Sequence, residues 1–131
     1  MIPLCRSEGV GLIPWSPLAR GFLAGNRRAE DKKGETARAR SDDFAQGMYF
    51  QPDDFAVVEQ VKTVAGRRGV KPAQVALAWV ASRPGVSAPI IGATKPGHLA
   101  DAVGALDIAL DPEEVAALEA SYRPHKVLGH S

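Results

Sequence analysis

The sequence holds one cysteine, Cys5, in 131 residues. A lone thiol allows no internal disulfide, and nothing in the chain asks for an oxidising compartment. No run of about 18 apolar residues, the kind that crosses a bilayer, occurs. The opening Met1-Ile2-Pro3-Leu4-Cys5-Arg6 lacks the order of a secretory signal. Charge of one sign is also wanting. Sixteen basic residues against fifteen acidic ones leave a formal charge of +1, so no global field recruits nucleic acid or a membrane surface. These absences lead to the expectation of a cytoplasmic protein without membrane or nucleic-acid partners. What is present is an ordinary globular balance, 45% hydrophobic and 24% charged, in a length that suits one domain with a single core.

Along the chain, residues 2–8 read as the last turns of a helix, with Gly9 in a C-cap role. Residues 10–14 form a short apolar run, which predicts a buried strand. Residues 15–51 are irregular, with glycines at 21, 25, 34 and 47; loops that long are commonly functional or disordered. From 54 to 68, Phe55, Val58, Val61 and Ala65 recur at helical spacing, and Gly69 marks the stop. Pro72 opens a second helix over 73–82 that is apolar almost all round and therefore predicted to be buried. Arg83-Pro84-Gly85 breaks it. Residues 88–91 predict a second strand, followed by Gly92-Ala93-Thr94-Lys95 and a helix over 96–105. A last helix opens on Asp111 as N-cap, Pro112 and Glu114, with Val115, Leu118 and Tyr122 on its inner face. This order of strand, loop, helices, strand and helices is that of β/α units around a parallel sheet. Parallel strands belong to sheets of several members, so two strands with these helices read as a piece of a larger α/β architecture.

Two segments have the chemistry of anion binding. Gly92-Ala93-Thr94-Lys95 follows a strand and opens a helix, an arrangement that presents N–H groups and the positive end of the helix dipole. The stretch 20–40 carries seven basic residues (Arg20, Arg27, Arg28, Lys32, Lys33, Arg38 and Arg40) against three acidic ones. That loop is either a solvated surface or a phosphate contact, and with no aromatic residue between Arg27 and Arg40 it makes a poor nucleic-acid site. His98, His125 and His130 have no metal-ligand spacing with Cys5, so no metal site is expected. Asp42-Asp43 and Asp53-Asp54 read as loop and helix-start acids, and Cys5 as a packed thiol.

Three segments in register carry a resemblance. Ile13-Pro14-Trp15-Ser16-Pro17-Leu18-Ala19-Arg20-Gly21-Phe22-Leu23 resembles the end of the seventh barrel strand in aldo-keto reductases. Pro72-Ala73-Gln74-Val75-Ala76-Leu77-Ala78-Trp79 is similar to that family's helix before the eighth strand. Pro89-Ile90-Ile91-Gly92-Ala93-Thr94-Lys95-Pro96, with His98, Leu99 and Asp101, resembles the eighth strand and its phosphate-binding loop. Tyr122-Arg123-Pro124-His125 resembles a bacterial subgroup with short C-terminal tails.

The resemblance implies an α/β fold, the C-terminal fragment of a (β/α)8 TIM barrel, about strands 7 and 8 with their helices. Such barrels run to about 250 residues, so 1–131 is expected to be a single partial domain. It implies NADP(H)-dependent reduction of an aldehyde or ketone to an alcohol in the intact protein. The family's catalytic Asp, Tyr, Lys and His lie on the first four strands, so no catalytic residue is assigned here. Met1 reads as an internal methionine of a truncated or frameshifted gene, or as a late start. The alternative is a non-catalytic remnant that binds nucleotide or a partner, or does not fold alone; bare strand edges make self-association the expectation.

The cofactor-binding residues follow from the same resemblance. Trp15 stacks on the nicotinamide ring, where the alternative is a Trp packed at the barrel top. Ser16 and Leu18 offer hydroxyl and N–H groups to the pyrophosphate, and Pro17 stiffens the turn. Arg20 and Arg38 belong to the loop that folds over the pyrophosphate. Gly92 and Ala93 bring backbone to a phosphate. Thr94, Lys95 and His98 surround the adenosine 2′-phosphate, favouring NADP over NAD; the family often has Arg or Gln in place of His98. Asp101 sits where the family often has an acid beside the adenosine, and Ala102 where it often has an asparagine touching the adenine.

Overall fold

The computed structural model of the chain describes residues 1–26 and 49–125. Within them lie five α-helices: α1 (Ile2–Ser7), α2 (Pro52–Arg68), α3 (Pro72–Ala81), α4 (Pro96–Gly104) and α5 (Pro112–Glu119). Two 3-10 turns, Ala19–Ala24 and Ala105–Asp107, complete the helical content of these residues.

Local chemistry explains the helix ends. Helix α2 begins at Pro52, two residues before its expected start, because Asp54 is not its first residue but its third. The Asp54 carboxylate reaches back to accept the Gln51 N–H at 2.9 Å. Asp53 and Asp54 in the first turn and Arg67 and Arg68 in the last complement the dipole, and Gly69 ends the helix at φ 66°. Helix α5 carries the full reciprocal cap: Glu114 N–H donates to Asp111 Oδ1 at 2.8 Å, and Asp111 N–H to Glu114 Oε2 at 2.9 Å. It ends at Glu119. Tyr122, expected on its inner face, therefore lies beyond the helical register and is exposed.

The core sits between α2, α3, α5 and the Ala19–Ala24 turn. Val61, Val64 and Ala65 of α2 pack with Val75 of α3 and Leu118 of α5. Beside them Phe22, Phe50 and Val58 form a second cluster, with Phe22 meeting Phe50 and Phe55 edge-on at 5.1 Å each. Full burial of such a side chain stabilises by about 1.5–3 kcal/mol, so these few residues carry much of the fold. Polar pairs tie the layer at its surface. Arg68 donates from Nε and Nη2 to the two oxygens of Glu114, each at 2.6 Å, and from Nη2 to the Ala109 carbonyl at 2.8 Å. Glu119 accepts from Trp79 Nε1 at 2.9 Å and from Arg83 Nη1 at 3.0 Å, while the Arg83 guanidinium stands 4.9 Å over the Trp79 ring.

The two expected strands are reduced to isolated parallel bridges, Leu12 with Val86 and Trp15 with Ile90. Leu12 N–H donates to the Gly85 carbonyl at 2.9 Å, Ser87 N–H to Leu12 at 2.8 Å, and Ile90 N–H to Pro14 at 2.8 Å. No longer ladder forms among the described residues, and the expectation of a buried strand over 10–14 and a second strand over 88–91 is corrected. Pro14 and Pro89 supply no N–H, and among the described residues each segment has a partner on one edge only. Val10, Ile13 and Ile90 are accordingly exposed. Gly11 permits the pairing, because a Cβ there would stand 2.1 Å from Ser87 Oγ.

Candidate cofactor-binding site

Parallel pairing has a geometric consequence: both segments run in the same direction, so their C-terminal ends emerge side by side. Trp15 ends the first and Ile90 lies two residues before Gly92. The turn after Trp15 and the loop over 92–95 therefore leave from the same end of the pair.

The first turn is wound tightly. Ser16 accepts the Ala19 N–H at 2.9 Å through its carbonyl, closing a β-turn with Pro17 at its second position, where a fixed φ is favoured. Ser16 Oγ accepts the Arg20 N–H at 3.3 Å, and the Leu18 carbonyl accepts from Gly21 at 2.9 Å and Leu23 at 3.2 Å. Ser16, Ala19 and Arg20 all hold positive φ, at 53°, 47° and 57°. Each such non-glycine residue costs on the order of 1 kcal/mol or more, and strain of this kind concentrates where backbone is bent to meet a ligand. The Leu18 N–H has no partner among the described residues. Trp15 keeps 67% of its surface exposed at the end of the first segment.

The second loop leads into α4. Gly92, Ala93, Thr94, Lys95 and His98 are exposed, and Lys95 is the N-cap in extended conformation. Among the described helices of eight or more residues, α4 alone has no side-chain bond at its N-terminus. Thr94 Oγ1 lies 3.4 Å from His98 Nδ1, and a shallow depression of about 270 Å³ is lined by Ala93, Thr94, Lys95, Pro96 and Leu99. A hydroxyl, an ammonium and an imidazole around an open helix N-terminus suit a phosphate dianion.

The structure brings Trp15, Ser16, Pro17 and Leu18 to the same end as Gly92, Ala93, Thr94, Lys95 and His98. Arg20 is half-buried at the kink of the Ala19–Ala24 turn. Asp101 is engaged elsewhere, with both carboxylate oxygens 2.8 Å from Lys71 Nζ, and Ala102 is half-buried on α4. Arg38, with the rest of 27–48, and His130, within 126–131, lie outside the described residues. Sequence reasoning did not single out Lys71. Thirty positions separate it from Asp101, and no local spacing signals the pair. Among the described residues no group of three or more His, Cys, Asp or Glu is arranged to hold a metal. A larger cavity of about 710 Å³ opens on the helical layer, where Phe22, Leu23, Trp79 and Leu118 give it apolar walls and His125 sits 2.8 Å from Asp54.

The paired parallel segments thus lead into a strained proline turn on one side and an open helix N-terminus on the other. The chain belongs to the aldo/keto reductase family, whose sequence model matches residues 1–123. It is 37% identical over 129 residues to a Schizosaccharomyces pombe protein that carries the name of an aryl-alcohol dehydrogenase, covering 98% of this chain and 35% of that one. It is 35% identical over 127 residues to versiconal hemiacetal acetate reductase of Aspergillus parasiticus, covering 97% and 36%. An aldo-keto reductase of Metarhizium robertsii is 38% identical over 130 residues, covering 97% and 33%. The chain thus spans about a third of the length of the curated relatives it matches. The family folds as a (β/α)8 barrel and its members are oxidoreductases that generally use NAD(P)H. No helix among the described residues is long and apolar enough to cross a membrane.

Proposed function

We propose that this chain supplies the nucleotide-binding strands and loops of an NADP(H)-dependent reductase that converts an aldehyde or ketone to an alcohol in the intact protein. The observation that carries the reading is the parallel Trp15–Ile90 bridge, which sets the Ser16-Pro17-Leu18 turn beside the loop over 92–95. The residues present fit a dinucleotide: the α4 N-terminus lacks a side-chain cap, and Lys95 makes no ion pair among the described residues. When bound, the cofactor supplies hydride. Trp15 offers an exposed indole face for the nicotinamide. Ser16, Leu18, Arg20 and Arg38 meet the pyrophosphate, with Pro17 holding the turn. Gly92 and Ala93 let backbone approach, and Thr94, Lys95 and His98 hold the 2′-phosphate. Asp101 and Ala102 flank the adenosine.

In this reading the two segments are strands 7 and 8 of the barrel, the proton donor belongs to its earlier strands, and the site is cytoplasmic. Membership of a bacterial short-tailed subgroup rests on Tyr122-Arg123-Pro124-His125 alone. A second reading, a self-associating chain that binds nucleotide or a partner without catalysis, is supported by the exposure of Ile13, Trp15 and Ile90, and of Leu99, Val103 and Leu106 along one side of α4 and the turn after it. Titration of the chain with NADPH and NADH, followed by tryptophan fluorescence, tests the first reading. Saturable quenching by NADPH and a weaker response to NADH are expected. Equal responses would remove the NADP preference, and no response to either would remove the nucleotide site. Sedimentation across a concentration series tests the second.

A further inference from the structure

We propose that Lys71 is a positioning residue of the nucleotide site, acting through Asp101; this rests on the reading of α4 as the phosphate-binding helix. Lys71 is the N-cap of α3, and its Nζ lies 2.8 Å from both Oδ1 and Oδ2 of Asp101. The ammonium thus faces both oxygens of the carboxylate and balances its charge at contact distance. The surrounding contact is close. Lys71 N–H donates to Gln74 Oε1 at 3.1 Å, and a Cβ at Gly104 would stand 2.8 Å from Gln74 Nε2. Helix α3 therefore grips α4 at two points one turn apart, Lys71 on Asp101 and Gln74 on Gly104.

Asp101 is the sole carboxylate of α4, three residues beyond His98 and so on the same face. An uncompensated carboxylate there repels an incoming phosphate, because charges within about 10 Å still interact at moderate salt. Lys71 cancels that charge and holds the carboxylate toward α3. The side chains keep 64% and 25% of their exposure, so the pair sits where an ion pair adds little to folding. Its effect on a bound phosphate is therefore separable from an effect on stability.

The experiment uses the 131-residue chain with two fragment ligands, adenosine 2′,5′-bisphosphate and adenosine 5′-monophosphate, titrated by calorimetry at two salt concentrations. In Lys71→Met, affinity for the 2′-phosphorylated fragment is expected to fall about three- to tenfold, while that for the monophosphate changes by less than about twofold. Adding Asp101→Asn should restore the ratio between the two ligands, since the unbalanced charge is gone. Lys71→Arg should keep the wild-type ratio, and the loss should shrink as salt rises. Circular dichroism on each variant reports whether the helices persist. Equal losses for both fragments, without rescue by Asp101→Asn, would mean that Lys71 only braces the helices, and would overturn the proposal. Unchanged affinities in Lys71→Met would overturn it as well, leaving the nucleotide site intact. If the wild-type chain bound neither fragment, the reading of α4 would fail first and this proposal with it.

Discussion

In the helical layer the large apolar side chains are covered, and Val75 keeps none of its surface exposed. In the paired segments around the 10–15 and 86–91 stretches the same kind of side chain is bare, with Ile13 at 61%. The two regions differ in where their partners come from. Helices satisfy their own backbone, so α2, α3 and α5 need only one another's side faces to close a core. Strands satisfy half of their backbone through each neighbour and need cover on two faces, and among the described residues these two pair only with each other. Stability therefore resides in the helical layer, while the proposed cofactor chemistry resides on the layer that contributes least to folding.

The comparison breaks most sharply on a buried charge. Val75→Asp should destabilise by about 4 kcal/mol or more, since an unpaired carboxylate would enter the core, whereas Ile13→Asp should stay within about 0.5 kcal/mol. Urea denaturation followed by circular dichroism measures both, and comparable losses would show that the paired segments are as integral as the helices. Lys95→Ala probes the other layer. It should leave the denaturation midpoint alone and cost about 1.5–3 kcal/mol in NADPH binding, roughly ten- to a hundredfold, with NADH barely affected. Parallel losses for the two cofactors would point to damage of the loop rather than to a 2′-phosphate contact.

Smaller effects sharpen the picture within the helical layer. Asp111→Ala removes the acceptor of the Glu114 N–H and should cost about 1 kcal/mol, read as a lower midpoint without change in slope. The pH dependence of the Arg68–Glu114 pair is expected to be the weakest signal. The bond from Arg68 holds the Glu114 carboxyl below its ordinary value. A depressed folded value means stabilisation that is complete above the ordinary carboxylate range and is lost as pH falls through the depressed value. Glu114→Gln should lower the melting temperature at neutral pH, and the gap from wild type should close on acidification. A gap that persists in strong acid would assign the loss to packing instead.

Much of the helical layer was legible in the residues. Pro72, Pro96 and Pro112 mark first turns, Gly69 a stop, and Asp111 with Glu114 a cap, because each acts within four residues of itself. Where the reading slipped, it slipped at helix ends. Asp54 read as the start of α2 but closes a cap begun at Gln51. Tyr122 continued the apolar spacing of α5 on paper, yet the helix had already ended. The candidate site was legible as two motifs, the Ser16-Pro17-Leu18 turn and the loop over 92–95, but nothing in either motif says that they meet.

By itself the sequence determined the helices, their caps and stops, and the residue types able to hold a phosphate, since these depend on backbone conformation and hydrogen bonds between near neighbours. The tertiary structure alone decided which segments pair, and so which loops share an end. It also joined Lys71 to Asp101 across 30 positions and Arg68 to Glu114 across 46. The first crosses from α3 to α4, and the second from α2 to α5, which meet through the core of Val61, Val64, Val75 and Leu118. Chain closure over such distances is opposed by entropy until burial offsets it, and no local pattern of residues encodes its outcome.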